Sequence, residues 1–330
     1  MRKRRLILAV GASLATVALT MGTALADPPT SPPPAGTIIG AGAQTTEGAL
    51  DDLCNNVIPG SPCASYDVTG SSTITTKPAP ANCTIARPSQ GGGGFDSLIA
   101  NPGCQDFARV VTSSDASTRP AGFTYIPMAT DALTYAVRAN STVPLNLDIA
   151  TLKRIYTCDP AITFPSVANG FKPLIGIFGA GNRTLFFQKL GITDSANYTT
   201  QNPCVKDGFS ANDGRVLTDP KQLITYSTAP YLAQVNRVEG DIHGNAILGS
   251  INGTPSAVLN NSSFIARTVY NVVRNSDISG STPNAAIENL FVGPNSQVCS
   301  HSTTIQQHGF NTTPLTPSAA CGNTSLQTTN

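Results

Sequence analysis

The chain has 330 residues, with 20 Lys and Arg against 19 Asp and Glu, so its formal net charge is +1. Only 12% of the residues are charged, which argues against a nucleic-acid partner because neutralising phosphates needs clustered Lys and Arg. The 40% of apolar residues can bury a core and excludes an acidic disordered chain.

The first 26 residues have the pattern of a secretory signal peptide. Residues 2–5 are a basic n-region, residues 6–20 are an uncharged apolar run, and Ala-Leu-Ala at 24–26 is a small-residue cleavage site. We therefore expect a secreted, extracellular protein cleaved after Ala26. The apolar run is short for a bilayer span and no later segment reaches that length, so no membrane span is expected after cleavage. The processed chain carries 16 Lys and Arg against 19 Asp and Glu, a net charge of −3.

The predicted export indicates that the eight cysteines form disulfides. All of them follow residue 26, and an even set in an oxidising compartment predicts four disulfides. Eight cysteines allow 105 pairings, so the connectivity stays open. The simplest pattern joins neighbours along the chain: Cys54–Cys63, Cys83–Cys104, Cys158–Cys204 and Cys299–Cys321. A metal site is not expected, because there is no CxxC and the chain has three histidines.

The first part of the chain predicts short strands and helices in alternation. Residues 27–35 are a Pro-rich lead, expected to be extended and mobile, and the folded part is expected to begin at Gly36. Helical spacing and a possible Thr45 or Thr46 cap favour a helix at 45–57. The other predicted elements are a strand at 36–40, β-rich residues 66–76, a short helix at 95–100 after the glycine run 91–94, and a strand at 106–111.

The same alternation continues to about residue 291. Asp148 is a suitable N-cap for a helix ending at Tyr156. The other expected elements are strands at 123–128, 133–137, 173–178, 246–251 and 266–273, helices at 182–190 and 285–291, and a helical turn at 230–236. From residue 311 the polar composition predicts a loose tail held by one disulfide. Strands that alternate with helices indicate an α/β architecture.

Motifs for catalysis are missing from the sequence. It contains no GxSxG, no HExxH and no P-loop, so an enzyme is not expected, no catalytic residue is assigned and no cofactor is implied. Asp241 and His243 could orient a catalytic base, but no activated Ser or Cys is evident beside them. We interpret them, together with His301 and His308, as loop residues.

Three glycine-bearing segments precede predicted helices, at residues 40–46, 91–94 and 179–182. The start of a helix offers unpaired N–H groups and a partial positive charge, and glycines let a ligand approach the backbone closely. Three such turns in one chain favour a cleft for a small ligand. Arg87, Arg109 and Arg183 lie near these turns and could supply charge, or could form salt bridges instead.

The order of the segments resembles the phosphate-binding proteins of ABC transporters, a branch of the type 2 periplasmic-binding superfamily, and is most similar to its secreted actinobacterial members. The resemblance covers about residues 37 to 310. The segments that carry it are Gly40-Ala41-Gly42-Ala43, Asp106-Phe107-Ala108-Arg109, residues 125–137 (YIPMATDALTYAV), residues 147–156 (LDIATLKRIY), Gly179-Ala180-Gly181-Asn182-Arg183, residues 226–236, residues 248–255 (LGSINGTP) and residues 266–273 (ARTVYNVV).

This resemblance implies two α/β lobes joined by two crossing strands, near residues 128–135 and 260–267. The implied boundaries are lobe 1 at 36–130 and 263–310, lobe 2 at 131–262, and a polar tail at 311–330. Such proteins bind a ligand between the lobes and close by hinge motion.

The sequence departs from the family at the positions that would contact phosphate. Gln44 stands where the first loop usually offers Thr or Ser, and Gly91 and Gly92 replace the Ser of the second loop. Each such contact to a buried charged ligand is worth about 1–3 kcal/mol, so their loss weakens phosphate binding by orders of magnitude. The remaining departures are Ala180 and Asn182 in place of two hydroxyls, Val111 near the family's Asp, and Gly176 near its Arg.

The first hypothesis is therefore a monomeric, secreted solute-binding protein for a small anion such as phosphate or another polar solute, working with an ABC permease. The second is a non-transport extracellular protein with a degenerate cleft and a surface or interaction role. A secreted hydrolase ranks third, because no nucleophile–base pair supports it. The predicted ligand-binding residues, acting mostly through backbone amides, are Gln44, Thr45, Gly92, Gly93, Arg109, Ala180, Gly181 and Asn182.

Overall fold

The computed structural model describes residues 27–164, 167, 170–255 and 265–330. The predicted signal peptide and most of the second crossing expected at 260–267 lie outside these residues. The strands are β1 (Ile38–Gly42), β2 (Cys63–Tyr66), β3 (Thr73–Lys77), β4 (Cys83–Ala86), β5 (Phe107–Val110), β6 (Phe123–Arg138), β7 (Asn146–Leu147), β8 (Lys172–Leu174), β9 (Gln222–Ser227), β10 (Ala246–Leu248), β11 (Ser250–Ile251) and β12 (Ala266–Arg274).

Helices lie in several of the connections between the strands. The first strand is followed by a 3₁₀ turn (Gln44–Thr46), helix α1 and a π-helical turn (Leu53–Val57), which together form the helical segment predicted at 45–57. The α-helices are α1 (Glu47–Asp52), α2 (Gln90–Ala100), α3 (Ile149–Tyr156), α4 (Gly181–Leu190), α5 (Tyr198–Gln201), α6 (Thr228–Val235), α7 (Asn275–Ile278), α8 (Ala285–Phe291), α9 (Gln297–Ser300) and α10 (Ser302–Gln307).

The fold is a mixed α/β structure of two lobes, as expected. Within the described residues, eight strands join in the order β2-β1-β5-β12-β6-β9-β8, with β10 also paired to β6. Strand β6 is shared. Its first half pairs with β12 up to Ala132, and its second half pairs with β9 from Leu133 onward. One uninterrupted strand therefore links the two halves of the sheet.

Each half of the sheet packs its own apolar core. Leu50, Phe107 and Phe291 belong to the core of lobe 1, and Leu152 and Phe186 belong to the core of lobe 2. All five side chains are buried. Since packing is separate in the two lobes, the region between them is free to form a cleft.

Several element predictions were wrong. The strand predicted at 246–251 is two short strands in different sheets, β10 and β11, and the strand predicted at 173–178 ends at Leu174. The runs at 123–128 and 133–137 form one strand, β6, because Asp131 between them is paired inside the protein and does not end the strand. The glycine run 91–94 is the first turn of helix α2 and not a loop before it. The reason is tertiary packing: a Cβ on Gly94 would lie 2.5 Å from the Cα of Gly42, so only glycine lets α2 pack this closely on β1.

The C-terminal segment is attached to the sheet, contrary to the expected loose tail. Thr328 is buried, and its backbone N–H donates to the carbonyl of Phe123. The N–H of Tyr125 donates to the carbonyl of Leu326, and Asn311 exchanges hydrogen bonds with Thr130. Backbone pairing with the edge of β6 therefore holds this segment in addition to its disulfide. The Pro-rich lead is also anchored, because Asp27 forms an ion pair with Arg87.

The four disulfides join Cys54 to Cys63, Cys83 to Cys104, Cys158 to Cys204 and Cys299 to Cys321. These are the pairs of the simplest neighbour pattern. Each bridge closes a loop inside one region of the chain, so none of them ties one lobe to the other. In the described part of the chain, no helix is long and apolar enough to cross a membrane.

Candidate functional site

A small cleft lies between the lobes, with a cavity volume of about 60 Å³. One water needs roughly 10–15 Å³ on this measure, so the cleft has room for about four to six water-sized groups. Its lining residues are Ala43, Gln44, Thr45, Gln90, Gly91, Val111, Gly176, Ala180, Gly181, Asn182, Phe209, Ser210 and Ala211. A ligand of four or five heavy atoms fits this volume.

Lobe 1 contributes the turn after β1, the start of helix α2 and the end of β5. Gln44 and Thr45 begin the helical segment directly after β1, and Gly91 lies in the first turn of α2. The first N–H groups of a helix have no partner within the helix, so they are available to an acceptor in the cleft. Val111 follows β5 and adds an apolar surface.

Lobe 2 contributes the start of helix α4, whose N-cap residue is Ala180 and whose first residue is Gly181. A Cβ on Gly181 would lie 2.8 Å from Cγ2 of Val111, which belongs to the other lobe. That separation is too short for two carbon atoms. The absence of a side chain at Gly181 therefore sets how closely the lobes approach.

A buried ion pair lies beside the cleft, on the two long strands of the sheet. Asp131 of β6 and Arg267 of β12 are register partners, and Oδ2 of Asp131 accepts from Nη2 of Arg267 at 2.7 Å. Asp131 has no exposed surface and Arg267 is 5% exposed. Burial lowers the pKa of Arg267, and the negative charge of Asp131 opposes that shift. The pair brings no net charge to the cleft.

Arg267 also joins both walls of the cleft. Its Nη2 donates to Oγ of Ser227 at 2.9 Å and to Oγ1 of Thr45 at 3.4 Å, and its Nη1 donates to Oδ1 of Asn182 at 2.5 Å. A further bond between the lobes runs from the hydroxyl of Ser210 to Oε1 of Gln44. These side chains hold the two walls together.

Five of the eight predicted binding residues line the cleft: Gln44, Thr45, Ala180, Gly181 and Asn182. The second loop contributes Gln90 and Gly91, whereas Gly92 and Gly93 lie farther along the first turn of α2 and are not among the lining residues. Val111 and Gly176, the positions near the family's Asp and Arg, do face the cleft, without charge.

Arg109 is not among the lining residues. Its fully buried guanidinium donates to the carbonyls of Ala43 and Tyr66 and to the hydroxyl of Ser65. The guanidinium therefore supports the turn after β1 from within lobe 1.

The other two arginines near the glycine turns also have structural partners. Arg183 is fully buried, bound to Asp194 at 2.7 Å and to the carbonyl of Gly176 at 3.1 Å. Arg87 pairs with Asp27. Arg183 and Arg87 therefore form salt bridges within the protein, which was the alternative to supplying charge at the glycine turns.

Sequence reasoning missed the segment 209–211 and the contacts of Asp131, Ser227 and Arg267. Asp131 and Arg267 are separated by 136 residues along the chain, and no local motif connects them. The sequence did contain one signal for this pair, since each of the two apolar strand segments carries a charged residue. Charged residues are rarely buried without a partner, so two such residues could be expected to pair.

The lining of the cleft supplies hydrogen-bonding groups without a charged side chain. Among the described lining residues none carries a charge, and the polar atoms come from Gln44, Gln90, Asn182 and Ser210, with Thr45 beside them. In the part of the chain that the structure describes, no three His, Cys, Asp or Glu residues are grouped to hold a metal ion. Hydrogen-bonding groups, helix starts and close walls suit recognition of a compact polar molecule.

Solved structures share this fold. An ABC-type phosphate transport receptor from Vibrio cholerae matches with a TM-score of 0.54 at 15% identity, covering 83% of this chain and 99% of that one. A putative phosphate ABC transporter substrate-binding protein with bound phosphate from Clostridium perfringens matches with a TM-score of 0.53 at 14% identity, covering 82% and 98%. No family model and no curated protein matches this chain. At these identities the likeness shows the two-lobed fold.

Proposed function

We propose that the chain is a secreted solute-binding protein that holds a small anion or small polar solute in the cleft between its lobes. The observation that carries this proposal is the meeting of residues 43–45, 90–91 and 180–182, from two lobes, around one cavity of about 60 Å³. Two of these segments begin helices of eleven and ten residues. The fold shared with two phosphate-transport proteins supports the proposal.

The uncharged lining favours a monoanion or a neutral polar ligand over phosphate. A phosphate dianion needs positive partners, and Arg267 is already neutralised by Asp131. Helix starts supply partial positive charge of roughly half an elementary charge each, which suits one negative charge better than two. We propose Gln44, Thr45, Gly91, Gly181 and Asn182 as the ligand contacts.

Calorimetric titration tests this proposal. We expect saturable heat with at least one of formate, acetate, sulfate and phosphate, and tighter binding of a carboxylate than of phosphate. A ligand of four or five heavy atoms gains at most about 1.5 kcal/mol per atom, so its Kd is expected to be micromolar or weaker. The protein is first unfolded and refolded to remove any ligand already bound. No heat with any of the four anions would contradict binding of a small anion.

Gly181 offers a sharper test of the closed cleft. Gly181→Ala places a methyl group against Val111 of the other lobe, and overpacking of this kind costs about 1–3 kcal/mol. We expect an anion that gives heat with the unchanged protein to bind the variant about 10- to 100-fold more weakly.

Two further variants control for that substitution. Gly92→Ala makes the same chemical change in the first turn of α2, where a Cβ would lie 3.7 Å from its nearest neighbour, Nη2 of Arg119, and should leave the affinity unchanged. Val111→Ala removes the clash and should restore binding in the Gly181→Ala background. Equal affinities for Gly181→Ala and the unchanged protein would show that the cleft does not close on the ligand.

A second function is favoured by one observation: the side chains of Thr45, Asn182 and Ser227 are already bound to Arg267. A cleft held together by its own contacts fits a non-transport extracellular protein. Absence of heat in the titration, with a folded protein, would favour this role.

The remaining parts of the proposal concern location and organisation. The four disulfides fit an oxidising compartment. We propose that the signal peptide directs export and is cleaved after Ala26. We also propose that the exported protein is a soluble monomer that delivers its ligand to an ABC permease. We also propose that the lobes are bounded at 36–130 and 263–310 for lobe 1 and at 131–262 for lobe 2. We further propose that the chain is most similar to the secreted actinobacterial members of the phosphate-binding proteins. A hydrolase is not proposed, because the cleft holds no nucleophile with a base beside it.

A further inference from the structure

Arg267 fixes the orientation of a side-chain amide in the wall of the cleft. Its Nη1 donates to Oδ1 of Asn182 at 2.5 Å. A guanidinium group carries five N–H donors and no acceptor, so an amide bound to it presents its oxygen. The oxygen of Asn182 is therefore committed to Arg267, and the group left for a ligand is Nδ2 with its two hydrogens.

Asn182 adds hydrogen-bond donors to the wall of the cleft. It is the second residue of α4 and lines the cleft beside Gly181. Among the described residues, its side chain hydrogen-bonds to Arg267 alone. The first N–H groups of α4 have no partner within the helix, so Nδ2 of Asn182 joins a wall that already offers donors.

Arg267 cannot turn away from Asn182 without leaving its own partner. Oδ2 of Asp131 accepts from Nε of Arg267 at 3.2 Å and from Nη2 at 2.7 Å, and both side chains are buried. The two residues are register partners on the long strands β6 and β12. The orientation of the Asn182 amide is therefore set by the sheet and not by the ligand.

Thr45 and Gln44 add no fixed acceptor to the cleft. Oγ1 of Thr45 accepts from Nη2 of Arg267 at 3.4 Å, which leaves the hydroxyl of Thr45 able to donate. Ser210 lies beside the amide oxygens of Gln44 and Asn212, and it has one hydroxyl proton for both. That contact leaves the amide group of Gln44 able to present either end.

We propose that Arg267 is a positioning residue that keeps this wall of the cleft a hydrogen-bond donor, so that the cleft selects a small carboxylate over a carboxamide of the same size. A carboxylate has two acceptor oxygens and no donor. In a carboxamide an N–H group replaces one of these oxygens, and against Nδ2 of Asn182 it leaves both groups without a partner. The inference rests on the proposed function, because it concerns the ligand of the same cleft.

The test compares acetate with acetamide, which has an amide nitrogen in place of one carboxylate oxygen. Calorimetric titration of the full protein, refolded free of ligand, should show acetate binding about 100-fold more tightly. Asp131→Asn with Arg267→Met removes the buried pair at constant net charge, and the amide of Asn182 can then present either end. The preference for acetate should fall about 10-fold in this double variant, and the helix starts account for the preference that remains. A merely structural role of Arg267 would weaken both ligands alike and leave their ratio unchanged.

Asn182→Asp is a second variant, which serves if the double variant does not fold. The new carboxylate still accepts from Arg267 and places an oxygen where Nδ2 was. Acetamide should then bind about 10-fold more tightly than it binds the unchanged protein, because its N–H group gains an acceptor. Acetate should bind more weakly, because the two negative charges repel each other.

Lys172→Met with Asp219→Asn is the matched control, since it makes the same two kinds of replacement in an ion pair outside the cleft. Its preference for acetate should stay within about twofold of the unchanged protein. The inference is overturned if the Asp131→Asn, Arg267→Met variant keeps the full preference, or if Asn182→Asp binds acetamide no better. Binding of sulfate or phosphate without binding of acetate also overturns it, and leaves the proposed function standing. No heat from any of the four anions contradicts the proposed function and this inference together.

Discussion

Replacing Asp131 by Asn should lower the free energy of unfolding by about 3–5 kcal/mol, the cost typical of removing one partner of a buried ion pair. Asp131 is fully buried, and it accepts two hydrogen bonds from Arg267 and one from the backbone N–H of Ala229. Without the carboxylate, the charge of Arg267 stays buried and unpaired. Urea unfolding measures the effect as a lower midpoint with an unchanged slope.

Two controls separate charge from shape. Asp219→Asn removes a carboxylate whose partner Lys172 is half exposed, and it should cost at most about 1 kcal/mol. The double variant Asp131→Asn with Arg267→Met should recover part of the loss, because the carboxamide oxygen keeps the bond to Ala229 and no buried charge is left. Equal costs for Asp131→Asn and Asp219→Asn would show that the pair does not stabilise the junction of the lobes.

Removing the Cys158–Cys204 disulfide should have the next largest effect, about 4 kcal/mol in the chain-entropy account. This bridge has the largest sequence separation of the four, 46 residues, so its removal gives the unfolded chain the most new conformations. The variant is Cys158→Ala with Cys204→Ala, measured by urea unfolding without reductant.

The matched comparison is Cys83→Ala with Cys104→Ala, which opens a loop of 21 residues and should cost about 3 kcal/mol. Cys54→Ala with Cys63→Ala, with a separation of nine residues, should lose the least through loop entropy. That term does not include the packing of Cys54, which is fully buried. A smaller loss for the 46-residue loop than for the 21-residue loop would contradict the entropic account.

Patterns of neighbouring residues were sufficient to predict those elements whose boundaries are set by residues within the element. Asp148 accepts from the N–H of Thr151 and begins helix α3 as its sequence predicts. Helix α8 occupies the predicted residues 285–291. The cysteines pair with their neighbours along the chain. For the two helices the deciding contacts join residues a few positions apart, so the sequence pattern predicts them. The disulfides follow the order of the cysteines along the chain, although one of them spans 46 residues.

The sequence predicted only part of the candidate site, because the geometry of the site depends on contacts between segments that are far apart along the chain. The glycine turns at Gln44 and Gly181 meet in one cleft, as the spacing of strands and helices suggested. The positive charge expected from Arg109 does not reach the cleft, because backbone carbonyls hold the Arg109 guanidinium within lobe 1. Arg267 lies at the site instead, through a partner that is 136 residues away.

Composition and pattern by themselves determined the α/β class, the predicted export, the disulfide count and the glycine turns at 40–46 and 179–182, since each follows from residue type or short-range spacing. Tertiary structure decided which glycines face the cleft, which arginine reaches it, and that the polar end of the chain pairs with β6. The physical reason is that burial and close packing are properties of surfaces brought together. Helix α2 can pack closely on β1 because Gly94 has no side chain to meet Gly42, and Asp131 can lie within a buried strand because Arg267 lies beside it.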